Sequence, residues 1–208
     1  MLTKDDLLTQ QVAPNVKDIS LKLYKEFSEE ILLKQCFVYH FTDKTTMQVE
    51  FREWGIYHML SIQHIDNSIN KNKLFREINN GLELSSFKED KAMKNRYKNE
   101  KERIAIFSCL YNTLKEANVF YLPSGKVKNS KSVKVNYIIF SEIGTKGMNV
   151  GLKKVGEIYV PMTILISKPS KKEIYLEEAV RKEVDYLEII EMKENNNLPK
   201  NKTLSSEQ

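Results

Sequence analysis

VKVNYIIFSEIGTKGMNVGLKKVGEIYVPMTILIS, residues 133–167, is the segment that decides the fold class of this chain. It contains three runs rich in Val, Ile, Tyr and Phe, which favour strands, and two glycine-bearing breaks separate them. Gly144 and Gly147 lie in the first break, and Gly156 lies in the second. These connections are too short for the helical crossovers that parallel neighbours need, so the segment predicts antiparallel strands. Pro161 in the last run indicates an edge strand or a bulge, because proline cannot donate a ladder hydrogen bond.

Helical spacing of apolar residues dominates the first half of the chain. The predicted helices span 18–35, 53–65, 73–80 and 100–118. Asp18 is the predicted N-cap of the first helix, and Gly81 follows the end of the third. Two strand-like runs, 36–42 and 46–52, flank a polar turn between the first two helices and predict a hairpin. Helices and a hairpin followed by an antiparallel sheet are typical of the α+β class.

The C-terminal part of the chain has a weaker pattern. Residues 173–192 fit a helix by their charges, or a final strand by the apolar run DYLEII. Residues 194–208 are polar and predict a disordered tail. A length of 208 residues is typical of one domain, so we expect a single domain over residues 1–193.

The composition indicates a soluble globular protein, with 41% apolar and 29% charged residues. No apolar run approaches the roughly 20 residues of a membrane span. The N-terminus lacks the basic start and apolar core of a signal peptide. Cys36 and Cys109 are the only cysteines and do not form a Cys-x-x-Cys pair. We therefore expect a reduced, cytoplasmic protein without a disulfide and without membrane contact.

The positive charge of the chain is concentrated in one segment. The formal net charge is +5, and residues 123–156 carry seven lysines and only one acid, Glu142, a balance of +6. These lysines are Lys126, Lys128, Lys131, Lys134, Lys146, Lys153 and Lys154. Such a segment attracts phosphate backbones through charge and counterion release, although it is also compatible with a solvated loop and sheet edge. Tyr137 and Phe140 in the same region either stack on bases or pack in the core.

Two of the three histidines, His58 and His64, lie in the apolar segment 55–65. On one continuous helix they would lie about 120° apart, so at most one of them is expected to be functional. A zinc pair on a helix needs spacing i, i+4, and no Cys-x-x-Cys completes a metal site, so we expect no metal and no cofactor. His58 is either a core histidine bonded to the backbone or a general acid or base. In the second case Lys134 and Thr163 are its candidate partners.

Five motifs appear in an order that resembles a known family. They are FREWGIYHMLSIQHI, KERIAIFSCLYNTL, VKVNYIIF, NVGLKK and IYVPMTILIS, the last with a Tyr-x-Pro-x-Thr step. Together they are similar to the prophage-associated barnase–EndoU–colicin–RelE-like nuclease domain, fourth type, over roughly residues 37–168. The chain departs from the family at Ser61-Ile62-Gln63, where the family tends to have Gly-Ile-His. His64 comes one place later, so the resemblance gives it no role.

The resemblance implies a barnase/RelE-like fold, with helices packed against an antiparallel sheet. It also implies a metal-independent ribonuclease or toxin-like effector of prophages and conjugative elements, which acts on RNA and has a protein antitoxin or immunity partner. By position, His58 matches the helix histidine, Lys134 the strand lysine, Thr163 the hydroxyl residue and Arg103 the helix arginine. In such an enzyme a base removes the ribose 2′-proton, cations stabilise the phosphorane, and an acid protonates the leaving 5′-oxygen.

Three functions remain open at this point. A ribonuclease predicts that His58 faces the sheet with Lys134, within reach of a common phosphate. A non-catalytic nucleic-acid-binding or defence-related regulatory module predicts binding without cleavage. A structural accessory protein, whose lysines only keep it soluble, predicts neither. In the last two functions Arg103 is an ion-pair partner beside a packed helix, and His58 is a core residue.

Overall fold

Eight strands and seven α-helices make up the computed structural model, which describes residues 2–130 and 132–192. The strands are β1 Gln35–Phe41, β2 Thr46–Glu50, β3 Val119–Tyr121, β4 Tyr137–Ile143, β5 Lys146–Val155, β6 Ile158–Ser167, β7 Val180–Lys182 and β8 Val184–Glu191. The helices are α1 Lys4–Thr9, α2 Leu21–Glu30, α3 Glu53–Met59, α4 Ile62–Ile65, α5 Leu74–Asn79, α6 Lys91–Ile106 and α7 Leu110–Glu116. The predicted α+β class is therefore confirmed. The tail predicted over 194–208 lies outside the described residues.

All eight strands belong to one sheet, in the order β7-β3-β4-β5-β6-β2-β1-β8. The two end strands, β7 and β8, are separated along the chain by Glu183 alone, whose carbonyl accepts a hydrogen bond from the Thr42 N–H at 3.0 Å. One residue can connect the two ends only because the sheet curls into a near-barrel. Within residues 173–192, the segments 180–182 and 184–191 thus form the two closing strands, and the strand alternative for this part of the chain is confirmed.

One strand contact contradicts the prediction of a purely antiparallel sheet. β2 and β6 are parallel neighbours and meet at the pair Val49 and Tyr159. The prediction considered only the short connections after residue 133. β2 belongs to the N-terminal hairpin, and five helices lie between it and β6 along the chain, so loop length does not restrict this pairing.

The concave face of the sheet is filled by the helices. The Tyr39 hydroxyl of β1 donates to the Leu114 carbonyl of α7 at 2.8 Å. The Thr113 hydroxyl of the same helix lies 3.4 Å from the Met148 sulfur of β5. The sheet therefore wraps around α7, which contacts it from two sides. A smaller core, which includes Val135 and Leu176, covers the outer face of β4, β5 and β6.

The helices begin and end at residues that differ from the predicted ones. α2 begins after Ser20, whose hydroxyl accepts from the Leu23 N–H at 3.0 Å, so Asp18 is not its N-cap. The predicted helix 100–118 is the end of α6 and all of α7, interrupted by a 3-10 turn at Phe107–Cys109. No helix among residues 2–130 and 132–192 is long and apolar enough to cross a membrane.

The hairpin of β5 and β6 carries the predicted bulge. Leu152 pairs with Pro161, and Gly151 pairs with Thr163, so Met162 is the extra residue on β6. The bulge accommodates the proline, which lacks an N–H, inside a strand that has neighbours on both sides. The bulge prediction is confirmed; β6 as a whole is not an edge strand, but its registered pairing with β2 is at Tyr159, and at Pro161 the neighbour on that side is α3.

Candidate nucleic-acid interface

Residues 125–130 and 132–135 belong to a flap on the outer face of the sheet. The Val127 N–H donates to the Val133 carbonyl, and the Val135 N–H donates to the Gly125 carbonyl, both at 3.1 Å. These two bonds bracket Lys126 and Lys134, which are therefore a directly opposed, non-hydrogen-bonded pair. Strand alternation puts their side chains on one face and the valines on the other. Both lysines are exposed, whereas Val127 and Val135 are buried in the outer core.

The flap precedes β4 and is not part of it. β4 begins at Tyr137, so the assignment of Lys134 to a strand of the main sheet is wrong. Asn136 joins the flap to the end of β5, since its N–H donates to the Leu152 carbonyl at 2.7 Å. Its side-chain oxygen accepts from the Lys154 N–H at 2.8 Å. Lys153 and Lys154 are consequently held at the base of the flap.

Acids from distant parts of the chain neutralise two of the seven predicted contact lysines. Lys128 lies 3.5 Å from Glu177 and 3.2 Å from Glu178. Lys146 forms an ion pair with Glu102. Four other lysines are exposed and form no ion pair with any residue among 2–130 and 132–192; we call them the basic surface, and they are Lys126, Lys134, Lys153 and Lys154. Lys131 lies outside the described residues.

Thr163 lies beside the flap. A Cβ at Gly151 would be 2.8 Å from the Thr163 methyl and 2.9 Å from a Val135 methyl, so the two side chains meet over this glycine. Lys134 is the neighbour of Val135 in the chain. The structure therefore brings the Lys134 and Thr163 segments together through Gly151, and a side chain at this position would separate them.

His58 lies on α3, which runs along β6 on the side where β2 has ended. A Cβ at Gly55 would lie 2.5 Å from the Pro161 carbonyl oxygen, so only glycine allows the helix this close to the strand. His58 is one turn further along, and residues three apart share a helix face. Its ring lies edge-on to Tyr57 at 5.3 Å.

Partial burial lowers the pKa of His58, and the neighbouring Lys71 and His64 lower it further, while the Gln63 side chain opposes the shift. The imidazole is consequently neutral at pH 7, the state in which a histidine accepts a proton. The Gln63 amide oxygen is buried and has no hydrogen-bond partner of normal geometry among the described residues. It lies close enough to the imidazole of His58 to raise its pKa, and it can accept a hydrogen bond from an imidazole N–H.

The predicted helix 53–65 is broken at Ser61, which has a left-handed backbone with φ 58°. The assumption of one continuous helix is therefore wrong, and so is the 120° separation derived from it. Because the chain turns at Ser61, the exposed His64 comes near enough to His58 to lower its pKa. The buried Ser61 hydroxyl accepts a hydrogen bond from Arg103.

Arg103 has structural partners on two sides. Its guanidinium lies 3.1 Å from Glu100, one turn earlier on α6, in addition to its bond to Ser61. It also lines a cleft with Leu165 and Tyr175, at the end of β6. Arg103 therefore fixes the chain reversal after α3, which agrees with the ion-pair alternative considered for it.

The candidate catalytic residues form two groups. Val135, the chain neighbour of Lys134, meets Thr163 over Gly151 on the outer face, while Arg103 contacts Ser61, three residues beyond His58. The groups that shift the pKa of His58 are Lys71, Gln63 and His64, and Lys134 is not among them. A common phosphate for His58 and Lys134 stays a prediction. No sequence pattern pointed to Lys71 or Gln63, because neither belongs to a motif or a regular spacing with His58.

The two aromatic residues considered for stacking have different positions. Phe140 is buried in the outer core, so it packs in the core. Tyr137 is half-buried on the concave face at the start of β4, where burial, with smaller contributions from Tyr159 and Tyr121, raises its pKa to about 12. Among the described residues, no three His, Cys, Asp or Glu side chains are placed to hold a metal ion.

Comparison with known proteins gives no relative from which to assign a function. No protein-family model, no curated protein and no solved structure matches this chain. The function is therefore inferred from the residues and geometry of the site.

Proposed function

We propose that this protein binds RNA through the basic surface and cleaves it by metal-independent 2′-hydroxyl transesterification on a barnase/RelE-like fold. The observation that carries the proposal is the opposed pair Lys126 and Lys134. Like charges directly opposite each other on a ladder are unfavourable, and no described acid neutralises this pair. An arrangement of this kind gains free energy when a polyanion occupies it.

A polyphosphate chain fits the basic surface better than a single anion does. The four lysines extend from the exposed face of the flap to the end of β5, where Lys153 and Lys154 point to opposite faces of the sheet, so together they offer phosphate contacts around this end of the sheet. Each contact releases a condensed counterion, which makes the affinity fall with salt by about 0.7 logarithmic units per phosphate for single strands. We expect a slope of up to about 3 for four contacts.

For the cleavage step we assign His58 as the base that accepts the ribose 2′-proton. Its lowered pKa supports this role, since the neutral form is the proton acceptor. Lys134 is assigned to stabilise the phosphorane, Thr163 to donate a hydrogen bond to the phosphate, and Arg103 to hold the turn after α3. A water molecule protonates the leaving 5′-oxygen. The order of the motifs supports a toxin-like effector of prophage or mobile-element origin, with a protein antitoxin or immunity partner.

Single-stranded RNA incubated with the purified protein in excess EDTA tests the proposal. We expect cleavage that leaves 2′,3′-cyclic phosphate ends, identified by mass spectrometry. His58→Ala should reduce the rate by about two to four orders of magnitude, the usual contribution of a positioned acid or base. His64→Ala is the matched control, because this histidine is exposed on the neighbouring α4 and should be replaceable at little cost. Cleavage that EDTA abolishes would refute the metal-independent mechanism.

A second candidate function is a binding module without catalysis. It is favoured by the side chains that shift the pKa of His58, which are Lys71, Gln63 and His64 and include no lysine of the basic surface. RNA binding that depends on Lys126 and Lys134, together with intact RNA after prolonged incubation, would establish this function in place of the nuclease.

A further inference from the structure

Three tyrosines lie together on the concave face at one end of the sheet. Tyr121 and Tyr137 are paired residues of β3 and β4, with ring centroids 5.2 Å apart and planes at 51°. Tyr159 of β6 meets Tyr137 edge-on, at 5.1 Å and 90°. We call these three residues the tyrosine cluster. Beneath it, Tyr137 stacks on Phe41 of β1 at 6.4 Å and 10°, so aromatic rings from both sides of the near-barrel meet here.

The inner and outer parts of this aromatic group differ in exposure. Phe41 is buried, with 2% of its surface exposed, and closes the end of the core. Tyr121 is 38% exposed, and Val180, its partner on β7, is 53% exposed on the same face. Core packing explains why Phe41 is aromatic. It does not explain why Tyr121 and Val180 are exposed to solvent. The tyrosine cluster thus presents an accessible aromatic surface.

Positive charge adjoins this surface. Lys154 of the basic surface lies directly opposite Tyr159 in the β5–β6 ladder, so the two side chains share a face. Lys182 lies 5.3 Å above the Phe41 ring, but it is bound to Asp43. Among the described residues, Lys154 is therefore the cation beside the cluster that has no acidic partner. Through the bond from the Lys154 N–H to Asn136, it is continuous with the flap.

We propose that the tyrosine cluster is a stacking site for an unpaired base of RNA whose phosphates lie on the basic surface. The inference deepens the proposed RNA binding and rests on it. Aromatic rings beside a cationic track are the usual way of holding single strands, because every base has a flat face that an aromatic ring can contact. A duplex keeps its bases stacked on one another and cannot use the site. The protein therefore selects single-stranded RNA.

The test is the affinity for a fluorescein-labelled, 2′-O-methylated decauridylate, which the protein cannot cleave, measured by fluorescence anisotropy. Tyr121→Leu keeps an apolar side chain in place but removes the ring, and it should weaken binding roughly 5- to 150-fold, the range for one stacked base. Tyr121→Phe should retain the affinity of the native protein. Tyr186→Leu is the matched control, since this tyrosine is 54% exposed on β8 and its ring stacks on His40 of β1.

An abasic oligomer with the same backbone separates stacking from charge. It should bind the native protein and Tyr121→Leu equally well, because it has no base to stack. A duplex of the same length should be insensitive to Tyr121→Leu for the same reason. Equal affinity of the native protein and Tyr121→Leu for decauridylate, with loss of binding in Lys126→Ala/Lys134→Ala, would overturn the stacking site and leave the RNA interface standing. No binding of any oligomer would overturn the proposed function itself.

Discussion

Replacing both Lys126 and Lys134 by alanine is predicted to weaken RNA binding while it stabilises the free protein. The two side chains are directly opposed on the exposed face of the flap, and no described acid pairs with either. Two unit charges roughly 6 Å apart in water repel each other by about 0.7 kcal/mol at low salt. We therefore expect the double variant to be more stable by about 0.5 kcal/mol at 20 mM salt, with the gain fading above about 150 mM as salt screens the repulsion.

The same substitution should change the salt dependence of binding in a defined way. Two lost phosphate contacts lower the slope of log K against log salt by about 1.4 for single-stranded RNA. The affinity is measured by anisotropy at several salt concentrations, and the stability is measured by urea unfolding of the free protein. If local unfolding caused the loss of affinity, the stability of the free protein would also fall. Weaker RNA binding together with higher stability therefore identifies a direct contact.

Lys128→Ala/Lys146→Ala is the control for this prediction. Both lysines come from the same basic segment, but Lys128 lies beside Glu177 and Glu178, and Lys146 is paired with Glu102. Removing them should leave the slope nearly unchanged and should not stabilise the protein. If the control lowers the slope as much as the flap variant does, neutralisation by distant acids does not decide which lysines bind RNA, and our reasoning is refuted.

Three further predictions concern the site and its framework. The pKa of His58 is lowered in the folded state, so the unfolded chain takes up this proton first as the pH falls below about 6.5. The free energy of unfolding should therefore decrease from that pH down to the folded pKa. Urea unfolding of His58→Asn should show a smaller decrease over the same pH range. Gly55→Ala should destabilise the protein by about 1–3 kcal/mol, since its Cβ would meet the Pro161 carbonyl oxygen; a loss below about 0.5 kcal/mol in urea unfolding would show that α3 can move away from β6. Gly151→Ala should displace Val135 and the flap. The free energy of RNA binding, measured by anisotropy, should therefore fall by more than the free energy of unfolding does. An unchanged affinity would show that the position of the flap does not matter for binding.

Local sequence patterns were sufficient where neighbours along the chain decide the structure. The β1–β2 hairpin and the antiparallel β4–β5–β6 meander follow from short, polar or glycine-bearing connections, which favour antiparallel pairing of consecutive strands. The bulge at Pro161 follows from the missing N–H of one residue. The surplus of lysines over residues 123–156 was also visible in the sequence, because formal charge requires no coordinates.

Tertiary structure decided everything that depends on residues far apart in the chain. The parallel contact of β2 with β6 and the closing strands β7 and β8 arise because the sheet curls around α7, and no local pattern encodes that curvature. Glu102, Glu177 and Glu178 neutralise two lysines from outside the basic segment, so the charge of the segment overstated the charge of the surface. The break at Ser61 depends on packing against α6, where Arg103 binds the serine hydroxyl, and it set the surroundings of His58. Periodicity records which face of an element is apolar, whereas charge pairing and the meeting of side chains depend on distances that exist only after the elements have packed.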